Sequence, residues 1–227
     1  MVTTHTQTGP KPKKIVDTTW SPDLAYAIGL IATDGCLSSD GLLIDLTSND
    51  REQLENYLKC LGIKVKIAEK SSGKGRKSLR VQFKNRIFYD FLLSIGLTQK
   101  KSLTMGKLAI PEEYFFDFLR GCFDGDGCSY SYWDPRWRSS FMFYICFASG
   151  SKKFVDWLRE EIDKRLDIKS HIGITHTKKN PFYQLKYSKY AAVELARSMY
   201  KGKDKPCLTR KRLKINACLG TMGLKGV

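Results

Sequence analysis

Two aspartates are the residues of this 227-residue chain best suited to metal chemistry, and similar stretches precede them. Asp34 is the penultimate residue of the stretch 27–35 and Asp126 that of the stretch 119–127, and a glycine ends each stretch. Two carboxylates brought to one place repel each other, so both stay ionised only around a cation. Mg²⁺ suits such a pair, because it takes hard oxygen ligands and keeps waters and phosphate oxygens in its shell.

The same two stretches predict how the aspartates meet. Each is an apolar helix with an internal glycine, Gly29 or Gly121, and Thr33 or Gly125 follows four residues later on the same stripe. A glycine inside a helix costs about 1 kcal/mol relative to alanine, so its repetition indicates two closely packed helices. The alternative is that Asp-Gly only ends a helix and opens a turn. Because Asp-Gly occurs twice, each time at the end of a helix with small residues, we favour a single metal site shared by Asp34 and Asp126.

Composition points to a folded protein with a polyanionic partner. Lys and Arg number 39 against 23 Asp and Glu, a net charge of +16, and 42% of the residues are hydrophobic. No apolar run approaches the roughly 20 residues that a membrane span needs, which favours nucleic acid over a membrane. The seven cysteines form no C-x-x-C pair. They predict buried free thiols in a reducing, intracellular compartment.

Periodicity predicts an α+β chain with a repeated order of elements. We expect a flexible basic leader over residues 1–20, followed by two halves, 21–106 and 107–227. Each half reads helix, two strands, helix, two strands, helix. A strand is predicted over residues 63–67 and another over 79–83, because apolar residues alternate there with polar ones. A side-chain cap by Ser151 is predicted for the helix that follows the first strand pair of the second half.

The outer faces of these strands predict nucleic-acid contact. In the first half the candidates are Lys64, Lys66, Arg76, Arg80, Gln82 and Lys84; in the second they are Tyr130, Tyr132, Arg136, Arg138, Gln184 and Lys186. Arg and Gln side chains can read base edges, whereas Lys mostly meets phosphate. A solvated sheet face is the alternative, but such a face usually mixes both signs of charge.

The two stretches resemble the LAGLIDADG motif, and the chain resembles monomeric two-motif LAGLIDADG homing endonucleases. The matching residues are Leu119, Gly121, Asp124, Asp126 and Gly127 in the second copy, and Gly29, Leu30, Ile31, Asp34 and Gly35 in the first. Two positions depart from the motif. Ala32 replaces its earlier acid, and Arg120 replaces a small residue, which we expect to be tolerated by facing outward.

The resemblance implies a fold and an activity. It implies two αββαββα halves whose motif helices pack at the centre, with two antiparallel sheets forming a DNA-binding saddle. It also implies site-specific, metal-dependent cleavage of both strands of a long, asymmetric DNA target by a monomer. The resemblance implies two or three Mg²⁺ ions, with Ca²⁺ supporting binding but not turnover.

The resemblance further assigns residues to this chemistry. It makes Asp34 and Asp126 the metal-binding carboxylates, helped by the backbone carbonyls of Thr33 and Gly125. A lysine near the scissile phosphate is frequent in the family, and Lys101 and Lys211 are the candidates, although generic phosphate contact explains them equally well. Asp45 and Cys146 occupy equivalent outward strand positions where family members place polar groups around water. Of the two, only Asp45 suits that role.

Two other functions stay open on the sequence. One is an RNA maturase on the same fold, and the other is a DNA-binding regulator without catalysis. The presence of both aspartates disfavours the regulator but does not bear on the maturase.

Overall fold

The computed structural model describes residues 13–71, 75, 77–176 and 181–227. Its first part contains helices α1 (Pro22–Asp34), α2 (Arg51–Leu61) and α3 (Arg86–Ser94), strands β1 (Gly35–Leu37), β2 (Leu43–Ser48), β3 (Ala68–Ser71) and β4 (Lys77–Lys84), and the short helix α4 (Lys101–Thr104). A 3₁₀ turn at Glu112–Tyr114 leads into the second part. That part contains helices α5 (Phe115–Asp126), α6 (Lys152–Leu166), α7 (Lys189–Met199) and α8 (Thr209–Thr221), and strands β5 (Cys128–Trp133), β6 (Phe141–Ser149), β7 (His171–His176) and β8 (Pro181–Ser188).

The strands form two antiparallel four-stranded sheets with the same topology. Their strand orders are β1-β2-β4-β3 and β5-β6-β8-β7. In each sheet one face is buried against helices, through Ile44, Leu46 and Val81 in the first and Phe143 and Ile145 in the second. This alternation, with a period of two, leaves the opposite face of each sheet to solvent. The predicted α+β class and its two-halved arrangement are confirmed.

Helices α1 and α5 pack side by side at the centre. The Ser21 hydroxyl accepts a hydrogen bond from the Leu24 amide and so caps α1, which is buried from there to Ala32. A Cβ added to Gly29 would lie 2.2 Å from the Phe118 carbonyl oxygen, and one added to Gly121 would lie 2.1 Å from that of Tyr26. The close approach predicted from the two glycines is therefore confirmed.

The predicted strand over residues 63–67 was wrong. The regular strand begins only at Ala68, which pairs with Arg80 of β4. The preceding segment keeps its alternation, because Ile63, Val65 and Ile67 pack against the core while the intervening lysines are exposed. Lys64 and Lys66 therefore stand outside the hydrogen-bonded sheet. The alternation of apolar and polar residues reflects burial of one side of an extended segment, and an extended segment can be buried on one side without pairing with a neighbouring strand.

Three further features differ from expectation or add to it. The Ser151 hydroxyl makes no cap for α6 and donates instead to the Met105 carbonyl oxygen. Residues 13–20, within the predicted leader, pack against the first half: Val16 is buried and the Lys13 carbonyl accepts from Asn85. Residues 1–12 lie outside the described part. The seven cysteines are free thiols, but Cys36 and Cys128 are exposed.

None of the helices in the described residues combines the length and the apolar character needed to cross a membrane.

Candidate active site

The ends of α1 and α5 bring the two aspartates to one junction, as predicted. A Cβ added to Gly125 would lie 2.0 Å from Thr33 Oγ1 and 3.2 Å from Asp34 Oδ2, so the Asp34 carboxylate lies against the backbone of the opposite helix. The arrangement is crossed. Asp34 and Gly125 line one cavity, and Asp126 and Thr33 line another. Each carboxylate therefore shares its cavity with the end of the other motif helix.

The junction disfavours negative charge on its own carboxyls. Desolvation raises the pKa of Asp34, partly offset by a hydrogen bond from Gln53 and by the charges of Lys211 and Lys101. Desolvation also raises the pKa of Asp126, and the neighbouring Asp34 raises it further. A cation at the junction would reverse both effects, since it favours the ionised form of each group.

The donor set fits a hard divalent cation. Among the described residues, no group of three or more His, Cys, Asp or Glu side chains could hold a metal ion. Two carboxylates, backbone carbonyls and water are oxygen donors, as Mg²⁺ and Ca²⁺ prefer, whereas zinc sites use nitrogen and sulfur ligands. The site would leave coordination positions for water and for phosphate oxygens.

Two buried lysines reach the same helix ends. Lys101, 6% exposed, donates from Nζ to the Thr33 carbonyl oxygen at 3.1 Å. Lys211 lies in the first turn of α8, and its Nζ donates to the carbonyl oxygens at the end of α5, namely those of Phe123, Asp124, Gly125 and Gly127 at 2.6–3.1 Å. Burial lowers the pKa of Lys101, and it lowers the pKa of Lys211 to about 8. Both ammonium groups complement the negative end of a helix dipole.

Gln53 is a site residue that the sequence did not reveal. It is buried in the first turn of α2, and its Nε2 donates to Asp34 Oδ2 at 2.6 Å. The Ser48 hydroxyl donates to Gln53 Oε1 at 2.7 Å and fixes the orientation of the amide. A glutamine in the first turn of a predicted helix was the available signal, but the helix period alone could not identify its partner.

The second half has no such amide at the equivalent place. Ser48 ends β2 and Ser149 ends β6, and five residues after each stand Gln53 and Phe154. Phe154 lines an apolar cavity together with Asp126. The two carboxylates therefore have different surroundings, since Asp34 accepts a hydrogen bond from Gln53 whereas Asp126 shares a cavity with Phe154.

A buried network behind α5 holds the segment that carries Lys211. Asp124 Oδ2 accepts from the Tyr26 hydroxyl at 2.7 Å and from the Leu208 amide at 2.8 Å, which ties the start of α8 to both motif helices. Desolvation raises the pKa of Asp124 to about 6. This acid, which the first motif replaces with Ala32, thus acts as an anchor for the chain before α8.

The outward orientation expected for Arg120 was wrong. This side chain is 1% exposed and pairs with Asp117 at 2.8 Å. It also donates to the carbonyl oxygens of Met199 and Pro206 at 2.6 and 2.8 Å. The segment after α7 folds over that face of α5 and supplies acceptors for the guanidinium, which makes its burial tolerable.

The open face of the first sheet mixes both signs of charge. Asp45 Oδ2 lies 3.7 Å from an Arg80 nitrogen and accepts from Gln82 Nε2 at 3.2 Å. Asp45 Oδ1 accepts from the Thr47 hydroxyl at 2.8 Å. Arg80 and Gln82 thus lie next to each other on this face, as predicted. Both side chains contact the Asp45 carboxylate, which was not predicted. Lys84 is exposed at the end of β4, and Arg76 lies outside the described residues.

The open face of the second sheet is rich in tyrosine. The Tyr130 and Tyr144 rings stack at 4.8 Å between centroids, and the Tyr132 ring is stacked with Tyr144 at 6.0 Å. On β8, Gln184 pairs with Ala148 and Lys186 pairs with Cys146. Cys146 faces Cys128 across the strands as Asp45 faces Cys36, which confirms that the two positions are equivalent.

Comparison with known proteins identifies the fold. Residues 21–96 match the LAGLIDADG-like domain. No curated protein sequence matches the chain. The solved structures that resemble it include three proteins at 13–15% identity, a level that shows the fold alone.

The homing endonuclease I-WcaI, solved bound to its DNA recognition sequence, superposes with a TM-score of 0.55 at 15% identity, covering 87% of both chains. I-DmoI, solved with DNA and Ca, gives 0.54 at 14% identity over 85% of this chain and 96% of that one. DUF199/WhiA from Thermatoga maritima gives 0.54 at 13% identity over 93% of this chain, which spans only 64% of that protein. Other I-DmoI structures were solved with DNA and Mn, or with Mg present, each at a TM-score of 0.50.

Proposed function

We propose that this chain, which has the two-motif LAGLIDADG fold, is a metal-dependent, site-specific DNA endonuclease that acts as a monomer. The observation that carries the proposal is the meeting of Asp34 and Asp126 at the end of two helices packed through glycine. A protein that only bound DNA would gain nothing from two carboxylates held where their charges repel. The DNA present in the I-WcaI and I-DmoI structures supports the choice of substrate.

In this proposal the scissile phosphodiester of each DNA strand binds at one of the two cavities, one lined by Asp34 and Gly125 and the other by Asp126 and Thr33. Asp34 with the Gly125 carbonyl, and Asp126 with the Thr33 carbonyl, are the groups that would hold divalent ions. Each carbonyl oxygen has two lone pairs, so it would be shared between the ion and the lysine that donates to it. Such an ion supplies an activated water and stabilisation of the leaving oxygen. Lys101 and Lys211 keep positive charge beside the carboxylates, where it also offsets the charge of an approaching phosphate. Gln53 orients the Asp34 carboxylate.

The two open sheet faces are the proposed DNA-binding surface. Arg80, Gln82 and Lys84 serve the first half-site, and Tyr130, Tyr132, Arg136, Arg138, Gln184 and Lys186 serve the second. Arg80 and Gln82 are available to base edges, although Asp45 must release or share them on binding. Because the first face is ionic and the second aromatic, the two half-sites should differ in sequence. The exposed Lys64 and Lys66 flank the first sheet and suit phosphate contact.

Cleavage of a randomised duplex library tests the proposal. With Mg²⁺ or Mn²⁺ we expect sequencing of the broken ends to recover one long, asymmetric site cut on both strands. Ca²⁺ should support binding of the same site with little cleavage. Selective binding of a site that stays uncut in every metal would show a regulator instead, and selective retention of intron RNA without DNA cleavage would show a maturase.

Loss of the Gln53 amide should slow cleavage of one DNA strand more than cleavage of the other. Gln53→Ala removes the hydrogen bond that orients Asp34, and a bond to a charged group contributes about 1.5–3 kcal/mol. We expect cleavage of one strand to slow about tenfold or more, so that nicked plasmid accumulates before the linear form. The matched control is the exposed Glu55→Ala on the same helix, which should cut both strands at the wild-type rate. Equal slowing of both strands by Gln53→Ala would contradict a role at one carboxylate.

A further inference from the structure

The loop between β5 and β6, residues 134–140, is closed by its own hydrogen bonds. The Asp134 amide donates to the Ser140 carbonyl at 2.9 Å, and the Trp137 amide donates to the Asp134 carbonyl at 3.1 Å. The Ser140 amide donates to the Trp137 carbonyl at 2.7 Å. The Asp134 carboxylate also accepts from the Arg136 amide and from its guanidinium, both at 3.0 Å. The loop therefore holds Trp137 in a defined place at the end of the hairpin.

Aromatic side chains at this end are exposed to an unusual degree. Trp137 is 69% exposed, Trp133 is 53% exposed and Tyr132 is 44% exposed. We call these three residues the aromatic tip. Tyr132 continues the tyrosine stack on the open face of the sheet, whereas Trp133 packs against Phe141 at 5.1 Å between ring centroids on the opposite face of the hairpin. Large rings left in water at the end of an ordered loop indicate a binding surface.

The first half offers a direct comparison. Its equivalent connection, between β1 and β2, is the short turn over residues 38–42, which contains Ser38, Asp40 and Gly41 and no aromatic residue. Closing a hairpin on this fold therefore does not require tryptophan. The aromatic tip belongs to the second half alone, and core packing does not account for it.

The charges around the tip select its partner. Arg136 and Arg138 flank Trp137, and both are exposed. Asp134 neutralises Arg136, whereas Arg138 makes no salt bridge within the described residues. A cation beside exposed rings, on a chain of net charge +16, favours a polyanion that also carries aromatic groups. Nucleic acid has both, since its bases stack on aromatic side chains and its phosphates attract arginine.

A paired B-form duplex hides the faces of its bases within the stack, so a stacking surface needs bases that are unpaired or pulled out. We infer that the aromatic tip binds unpaired bases of single-stranded nucleic acid, or of a locally opened duplex, through stacking on Trp137 and its neighbours. The inference rests on the proposed function only in taking nucleic acid as the partner. It adds a second mode of binding at the end of the hairpin, beside the duplex-reading face of the second sheet, with which the tip shares Tyr132, Arg136 and Arg138.

Binding in EDTA, where no cleavage occurs, tests this inference. The probes are fluorescein-labelled single-stranded DNA and RNA of about 20 nucleotides and the matching DNA duplex, followed by anisotropy and by tryptophan quenching. Stacking contributes about 1–3 kcal/mol per base, so Trp137→Ala should weaken single-strand binding roughly 5- to 150-fold. Duplex binding should change less than about twofold, and Trp137→Phe should retain most of the single-strand affinity. The DNA and RNA arms show which strand the tip prefers.

Tyr190→Ala is the control, because Tyr190 is an exposed ring on α7, outside the hairpin. It should bind all three probes like the wild type. Unchanged single-strand binding by Trp137→Ala would overturn the inference, as would equal losses on single strands and duplex at an unchanged melting temperature. Self-association of the wild type that Trp137→Ala abolishes would show a protein interface instead. Failure of the proposed function appears separately, as a target that the wild-type protein does not cut.

Discussion

Asp34→Asn and Asp126→Asn should each abolish double-strand cleavage while the protein still folds and binds its duplex. Asparagine keeps the shape and turn preference of aspartate but removes the charge that would hold a divalent ion. Loss of one such ion removes several kcal/mol of transition-state stabilisation, which corresponds to a fall of roughly 10³-fold or more in rate. The measurement is the rate of linearisation of a target plasmid under single-turnover conditions.

The same two variants should melt at the wild-type temperature or slightly above it. The junction raises the pKa of both carboxyls, so their ionised forms destabilise the metal-free protein at neutral pH. Asp90→Asn is the control, since it removes one charge from an exposed ion pair with Arg86 and should cut normally. Near-wild-type cleavage by either variant would refute the shared metal site. Cleavage lost together with the fold would show that these aspartates serve only as turn residues.

Gly29→Ala and Gly121→Ala should be the most destabilising small substitutions in the chain. Each added methyl group would lie within 2.2 Å of a backbone carbonyl oxygen on the opposite motif helix. Backbone atoms cannot rotate away as a side chain can, so α1 and α5 would have to move apart. We expect the free energy of unfolding to fall by about 3 kcal/mol for each variant, at the upper end of the usual range for overpacking. Urea denaturation measures this loss.

Gly220→Ala separates close packing from the general effect of replacing a helical glycine. Nothing lies within 4 Å of a Cβ added at Gly220 in α8. This variant should be as stable as the wild type or more stable by up to about 1 kcal/mol. Losses below about 1 kcal/mol for both Gly29→Ala and Gly121→Ala would contradict the tight helix contact. Gly29→Ala and Gly121→Ala variants that still fold should also cleave DNA more slowly, because separating the two helices separates the two carboxylates.

The sequence by itself determined the features that depend on neighbouring residues. The period of apolar residues placed the two motif helices and most strands. The repeated glycines predicted the helix contact, because a residue that is unfavourable in a helix signals a neighbour that needs the space. The two aspartates then met through the same contact. Local sequence patterns are enough to predict structure where the environment of a residue is set by the helix or strand to which it belongs.

Only the tertiary structure decided which distant groups meet. Gln53 reaches Asp34 because α2 begins beside the end of α1, and no periodicity in either helix encodes that contact. Arg120 could be buried only because carbonyl oxygens from residues 199 and 206 fold over it. Lys211 meets four carbonyl oxygens because Asp124 anchors the start of α8. Hydrogen bonds between segments far apart in the chain depend on where whole elements dock, and docking is set by side-chain packing that alternation does not describe.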